Sequence, residues 1–259
     1  MRITSLTLCL VLFGWLFAAP SPSSGAVYFY DNYWKPSAMP EASNPQWDRK
    51  QDDGVRTLVP NDYLRIDTTA AAADREYYEI RDDPTIIDFA GPSTVDFRMK
   101  VNDTSHGTVA SSILALWKHG SGYRYVRYEF DETGVRPKGS EGSKASLDAT
   151  EWHDYRISLS GNAGGSRTAK LYLLGDTPRL LLSTGSQGSG STTWSNTIYW
   201  GDMFTSDSGS ADWAFIGWTG DAALGADDLL VIPEPSTFLA WSLLAALGIA
   251  FGWHKRRKK

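Results

Sequence analysis

Sulfur chemistry is almost absent from this chain. Its one cysteine, Cys9, lies inside an N-terminal apolar run, so residues 27–231 hold neither a disulfide nor a thiol nucleophile. Their stability must come from a packed core. Histidine is nearly as scarce. His106, His119 and His153 have no histidine partner at i+4 and no His-Glu-x-x-His pattern, which removes support for metal-assisted hydrolysis. Serine is plentiful, but there is no Gly-x-Ser-x-Gly elbow, and Gly188-Ser189-Gly190 falls in a Gly/Ser-rich loop. Between the two ends there is no long segment of 3.6-residue period and no repeat of fixed period. Cations are in deficit too: residues 27–231 carry 19 Lys and Arg against 29 Asp and Glu, a charge near −10. That excludes nucleic acid as an expected partner, and it suits neutral glycans or cations.

Both ends are apolar. Arg2 precedes the run 3–19, and Pro20 and small residues lead to Ser24-Gly25-Ala26. A charged start, an apolar middle and a small-residue site make residues 1–26 a signal peptide, with cleavage expected after Ala26. At the other end Pro233-Glu234-Pro235-Ser236 interrupts the chain, since each proline lacks an N–H and fixes φ. A transmembrane helix is expected over 238–253, about 24 Å long at ~1.5 Å per residue and slightly short of the ~30 Å hydrocarbon core. His254 and the five Lys/Arg at 255–259 follow, a cluster that stays cytoplasmic. The tail 232–259 resembles the PEP-CTERM sorting signal of exported bacterial proteins, which joins the same three parts in this order. The resemblance implies processing at or near Pro233-Glu234-Pro235 by the membrane transpeptidase exosortase, with these residues as substrate. The implied partners are exosortase, the export machinery and, until processing, the membrane. The implied destination is the cell surface or extracellular matrix.

Residues 27–231 read as one domain of short strands. The clearest is 94–101, where Val95, Phe97, Met99 and Val101 alternate with Asp96, Arg98 and Lys100, the pattern of a half-buried strand. Strands are also expected at 63–67, 77–80, 113–117, 123–130, 152–159, 169–174, 180–183, 198–200 and 213–218, with turns rich in Gly, Ser and Asp between them. The stretch 185–191 reads as a loop inside the domain. This is an all-β pattern, an antiparallel sandwich flanked by a signal helix and a transmembrane helix.

Glu151-Trp152-His153-Asp154-Tyr155-Arg156-Ile157, followed by Leu171-Tyr172-Leu173-Leu174-Gly175-Asp176, resembles the paired central strands of concanavalin A-like, laminin-G-like jelly rolls. The earlier hairpin at 125–134 and the later Trp200-Gly201-Asp202 and stretch 211–216 fall in the order that family implies. The resemblance covers roughly residues 50–230 and implies a jelly-roll β-sandwich; it does not fix an activity.

Glu129 and Asp131 are the leading candidates for catalysis, because carboxylates at i and i+2 of a strand share a face, as in laminarinase-like glycosidases of that fold. Those enzymes place a further carboxylate at i+4 or i+5, where this chain has Thr133 and Gly134. The reading favoured is therefore a hairpin turn with solvated acids. Eight tryptophans lie in the domain, most of them expected in its core. If a face binds glycan, the expected residues are Trp117, His119, Tyr123, Tyr125 and Arg127, taken to alternate onto one side of two successive strands. Asp212, with Asp202 and Asp207 near in sequence, is the one candidate for a structural calcium. No contiguous calcium loop is written, so solvated turn acids are the alternative preferred; no other cofactor is expected. The leading functional expectation is a non-catalytic surface protein associated with extracellular polysaccharide. The alternatives are a glycoside hydrolase or polysaccharide lyase of the same fold, and a structural surface protein without a ligand.

Overall fold

The computed structural model describes residues 27–231 apart from 53, 71–74, 82–87, 105–107, 140–142, 163–166, 191–195, 204–207 and 221. The signal segment 1–26 and the sorting tail with Pro233, Glu234, Pro235 and Ser236 lie outside the described residues, as do His106, Trp194 and Asp207. No helix among the described residues is long and apolar enough to cross a membrane.

The strands in chain order are β1 (Val27–Phe29), β2 (Asn32–Trp34), β3 (Asp48–Asp52), β4 (Val55–Val59), β5 (Tyr63–Asp67), β6 (Glu76–Arg81), β7 (Ser93–Asp103), β8 (Ser111–His119) and β9 (Gly122–Asp131). They continue as β10 (Gly134–Pro137), β11 (Ala145–Ser146), β12 (His153–Ser160), β13 (Thr168–Leu173), β14 (Arg179–Thr184), β15 (Gly188–Gly190), β16 (Thr197–Asp202), β17 (Ser210–Thr219) and β18 (Leu229–Val231). Two antiparallel eight-stranded sheets face each other. The β9 sheet has the order β11-β10-β9-β8-β16-β6-β3, with β15 also paired to β9; the β7 sheet has the order β14-β13-β12-β7-β17-β5-β4, with β2 also paired to β17.

The alternation in β7 does what its period requires. Val95, Phe97, Met99 and Val101 are each at most 1% exposed, and Asp96, Arg98 and Lys100 take the other side. Tyr155 of β12 and Ile216 of β17 lie beside Phe97 in register, so one apolar row crosses three strands. In β17 the register shifts between Trp213 and Phe215, and this bulge lets Trp213 and Ile216 both reach the core although three positions separate them. Trp34, Trp47, Trp117, Trp200, Trp213 and Trp218 are all buried. Trp200 stands at their centre, with ring centroids 4.9–5.7 Å from Tyr78, Trp213, Trp34 and Trp47. Large indoles supply the buried area that a domain of this size without disulfides needs.

The described ends of the domain meet. β1 and β18 pair in parallel, Val27 with Leu229 and Phe29 with Val231. The segment leading into β18 straps across the outward side of the β7 sheet. Thr94 Oγ1 donates to the Ala222 carbonyl (2.7 Å), and Arg156 Nη1 donates to the carbonyls of Gly225 (2.6 Å) and Asp228 (2.8 Å). The outward side of the β9 sheet carries no such strap among the described residues, and the candidate site lies there.

Candidate functional site

Register decides which side chains share this outward face. Across β6, β16, β8 and β9 one row reads Glu79, Tyr199, Leu114, Arg127; the next reads Arg81, Thr197, Leu116, Tyr125; a third reads Tyr77, Gly201, Ser112, Glu129. The middle strands β16 and β8 thus supply an uncharged floor, and the charges stand on β6 and β9, three strand spacings or about 14 Å apart. Gly201 in the third row has φ of +115°, and an added Cβ would lie 2.7 Å from the Glu76 carbonyl oxygen and 3.1 Å from Ile66 Cδ1 of the core. The result is a groove of about 300 Å³ lined by Tyr77, Tyr199, Tyr123, Tyr125, Leu114 and Leu116, with Arg75, Glu79, Arg81, Arg127 and Lys138 around them.

Its walls are tyrosine pairs. The Tyr77 and Tyr199 rings lie 5.8 Å apart, and those of Tyr123 and Tyr125 lie 6.4 Å apart. Burial first, and the Glu79 charge second, push the Tyr77 and Tyr199 hydroxyls above their ordinary values, so both remain O–H donors at neutral pH. Lys138 Nζ donates to the Tyr125 hydroxyl at 3.0 Å and sits 5.3 Å from the ring centroid, a cation–π contact.

Two buried carboxylates organise the cations. Glu79 accepts from Arg81 Nε (3.0 Å) and Nη2, and pairs with Lys50 at 3.1 Å. Glu129 accepts from Arg127 Nη2 (2.7 Å) and Nε (3.1 Å), and from Arg136 Nε (3.3 Å). Asp131, on the same side as Glu129, is spent in the turn: Lys144 Nζ reaches both its oxygens at 2.7 Å, and the Thr133 amide and hydroxyl donate to Oδ1 at 2.8 Å. Glu129 and Asp131 do share a face, and both are occupied in ion pairs.

Of the five residues expected to form one glycan face, the structure brings together Tyr123, Tyr125 and Arg127. Trp117 is a correction. It is paired with Arg124 in register, points to the opposite side of the sheet, and is wholly buried. Nine positions separate Trp117 from Val126, and the turn between β8 and β9 sets the inward parity of both. His119 has Trp117's parity and lies opposite Gly122 at the hairpin end, outside the groove. Asp212 is the second correction. It is wholly buried on the outward side of the β7 sheet and is ringed by donors: Arg65 Nε and Nη2 (2.7 and 2.9 Å), Asn102 Nδ2 (2.8 Å) and Lys100 at 3.7 Å. A calcium ion needs several oxygens at 2.3–2.6 Å; Asp212 has cations there instead. Asp202 is turned inward and accepts from Thr68. Among the described residues no three His, Cys, Asp or Glu group as a metal site.

The sequence reading missed Tyr77, Tyr199, Arg75, Glu79, Arg81 and Lys138. A signal for two of them was present, because in Tyr77-Tyr78 and Tyr199-Trp200 adjacent aromatics of a strand must take opposite sides. A larger cleft of about 480 Å³ lies on the other sheet, lined by Asp96, Asp154, Asp176, Asp227 and Asp228 with Arg156. Its cation is fully engaged, by Asp96 and the strap carbonyls, and holds the strap in place.

No protein-family model matches the chain, and no curated protein matches it either. Among solved structures, the chain is similar to a Trypanosoma rangeli sialidase (14% identity, TM-score 0.49, covering 75% of this chain and 31% of that one). It is also similar to a carbohydrate esterase of the Shiga toxin-encoding bacteriophage phi24B (12%, 0.47, 73% and 97%) and to a legume lectin-like domain of Entamoeba histolytica (10%, 0.45, 77% and 100%). The chain spans about a third of the sialidase's length. With TM-scores below 0.5, these likenesses transfer no residue role and no activity.

Proposed function

We propose that this chain is an exported bacterial surface or matrix protein whose concanavalin A-like jelly-roll domain binds extracellular polysaccharide without cleaving it. The observation that carries the reading is the tyrosine-walled groove on the outward β9 sheet. An uncharged floor between facing aromatics, with hydroxyl, guanidinium and ammonium donors at its margins, suits a pyranose chain, which offers apolar C–H faces and a rim of hydroxyls. The occupation of Glu79, Glu129 and Asp131 in ion pairs supports binding over a retaining or inverting glycosidase, which needs one carboxyl group free to donate a proton. Export through residues 1–26 and sorting by exosortase through the 232–259 tail complete the proposal. The strap and β18 pack on the sheet opposite the groove, so a tail anchored in a membrane leaves the groove free.

The test is retention of the full-length protein on a panel of immobilised polysaccharides, with reducing-sugar release measured in parallel. Retention without sugar release is expected, weakened at least tenfold by Tyr123→Ala with Tyr125→Ala. Sugar release would make the hydrolase reading correct. No retention on any polysaccharide would leave a structural surface protein.

A further inference from the structure

We infer that the groove selects an anionic polysaccharide, a polyuronate in preference to a neutral glycan. This rests on the glycan reading above and deepens it. The charge of the domain as a whole points the other way, near −10, so a neutral or cationic ligand is what composition alone suggests. The outward face of the β9 sheet reverses that sign. Glu79 and Glu129 are each nearly buried, and each holds two cations: Arg81 with Lys50 at one margin, Arg127 with Arg136 at the other. Two carboxylates that fix four cations leave each margin positive. Arg75 and Lys138, which line the groove, add two more, and the carboxylate of Asp48, 3.6 Å from Lys50 and largely exposed, removes one.

Arg75 stands apart from both glutamate clusters. Among the described residues its Nε, a buried atom, has no hydrogen-bond partner. No acceptor offsets the desolvation of that donor, and among the described residues no carboxylate pairs with Arg75, which lines the groove. Among the described residues the Lys138 ammonium donates to a phenol, a neutral acceptor. Guanidinium forks match carboxylates bidentately, and the two cationic margins stand about 14 Å apart across an uncharged floor. That arrangement fits a chain bearing one charge per sugar, with sugar rings on the floor and carboxylates reaching the margins. A nucleic acid is a poorer match, because its charge is far denser, one per ~1.7 Å of duplex axis, and the acidic remainder of the domain repels it.

The experiment compares the full-length protein on polygalacturonate, on fully methyl-esterified polygalacturonate, on carboxyl-reduced polygalacturonate and on single-stranded DNA, at 20 and 300 mM NaCl. The expected result is retention on polygalacturonate at least tenfold tighter than on the two uncharged forms and on DNA, and falling at high salt. Arg75→Gln with Lys138→Gln is expected to remove at least tenfold of that preference with an unchanged melting temperature, since neither residue serves the Glu79 or Glu129 clusters. Equal retention on the three galacturonan forms would overturn the anionic preference while leaving the glycan reading intact. Retention on none of them, nor on the neutral panel, would remove the glycan reading itself. DNA binding equal to polygalacturonate, or a preference that survives the double substitution, would also overturn the inference.

Discussion

Arg156→Met should be the most destabilising single change on the outward side of the β7 sheet. The guanidinium is 2% exposed and makes four hydrogen bonds: Nε and Nη2 to the two oxygens of Asp96, both 2.8 Å, and Nη1 to the carbonyls of Gly225 and Asp228. Asp96, 4% exposed, has one other donor, the Tyr30 hydroxyl at 2.9 Å. Methionine fills the volume but leaves the carboxylate with a single neutral donor and frees two strap carbonyls. Breaking a buried pair from one side costs about 3–5 kcal/mol. With a urea m-value of ~3 kcal/mol/M for a domain of this size, the unfolding midpoint should fall by about 1–1.7 M. The strap should loosen as well, with faster hydrogen exchange at the Leu224 amide, which donates to Thr94 Oγ1 at 3.0 Å. Arg156→Lys recovers little, because an ammonium cannot serve the carboxylate bidentately and both carbonyls together. Asp96→Leu with Arg156→Met should recover at least about 2 kcal/mol of the single variant's loss, since no charge is left unpaired. A midpoint lowered by less than 0.3 M in Arg156→Met, with Leu224 exchange unchanged, would refute the strap argument.

Trp117→Ala should cost about 3–5 kcal/mol in urea unfolding, whereas Tyr125→Ala should cost less than about 1 kcal/mol and act on polysaccharide retention; a reversal of these two outcomes would move the face back to Trp117. Gly134→Ala should cost at least about 2 kcal/mol, since Gly134 has φ of +151° and an added Cβ would lie 2.2 Å from the Ala145 carbonyl oxygen; a thermal midpoint equal to the unsubstituted protein's would contradict this. Burial alone would raise the Asp131 carboxyl, but bonds from Lys144 and Thr133 hold it below its ordinary value. Its folded value therefore lies under its unfolded one, so its contribution is complete above pH ~4 and is lost as pH falls through the folded value; urea midpoints between pH 6 and 2.5 should fall less steeply in Asp131→Asn, and equal slopes would count against the ion pair.

The parts of the fold that could be read from the sequence are those whose side chains alternate over several residues. β5 occupies 63–67 as expected, β7, β8, β9 and β17 each contain the predicted run, and β12 begins one residue later than its run. A strand without side-chain alternation is not legible in this way. Gly188–Gly190 reads as a loop, yet it pairs with Tyr123–Tyr125 as β15, because a Cβ at Gly188 would lie 2.5 Å from the Tyr125 ring and glycine alone lets the backbone approach. β1 and β18 pair in parallel across the whole chain, a contact that no local pattern announces. The site failed in part for a related reason: alternation gives each strand two sides but does not say which is inward. Tyr123, Tyr125 and Arg127 share one side of β9 while Trp117 takes the other, because the parity across the β8–β9 turn is a matter of register, which only pairing fixes.

Register also explains how an acidic domain comes to present a basic face. The strap-covered side of the β7 sheet has a cleft in which Asp154, Asp176, Asp227 and Asp228 surround a single engaged guanidinium. The groove side sets four cations about two buried glutamates. The described surface is thus polarised, acidic at the cleft by the described ends of the domain and basic at the margins of the groove proposed to take the ligand. Such a field acts over about one Debye length, ~8 Å at physiological salt, so it orients a polyanion only once contact begins. Long-range attraction to the protein as a whole is unfavourable, and capture depends on the groove's own donors. Salt should therefore weaken binding through those few contacts. A steep slope of affinity against salt that survives Arg75→Gln with Lys138→Gln would mean that the charge recognised lies elsewhere on the surface, and the polarity of the fold would then be incidental to its function.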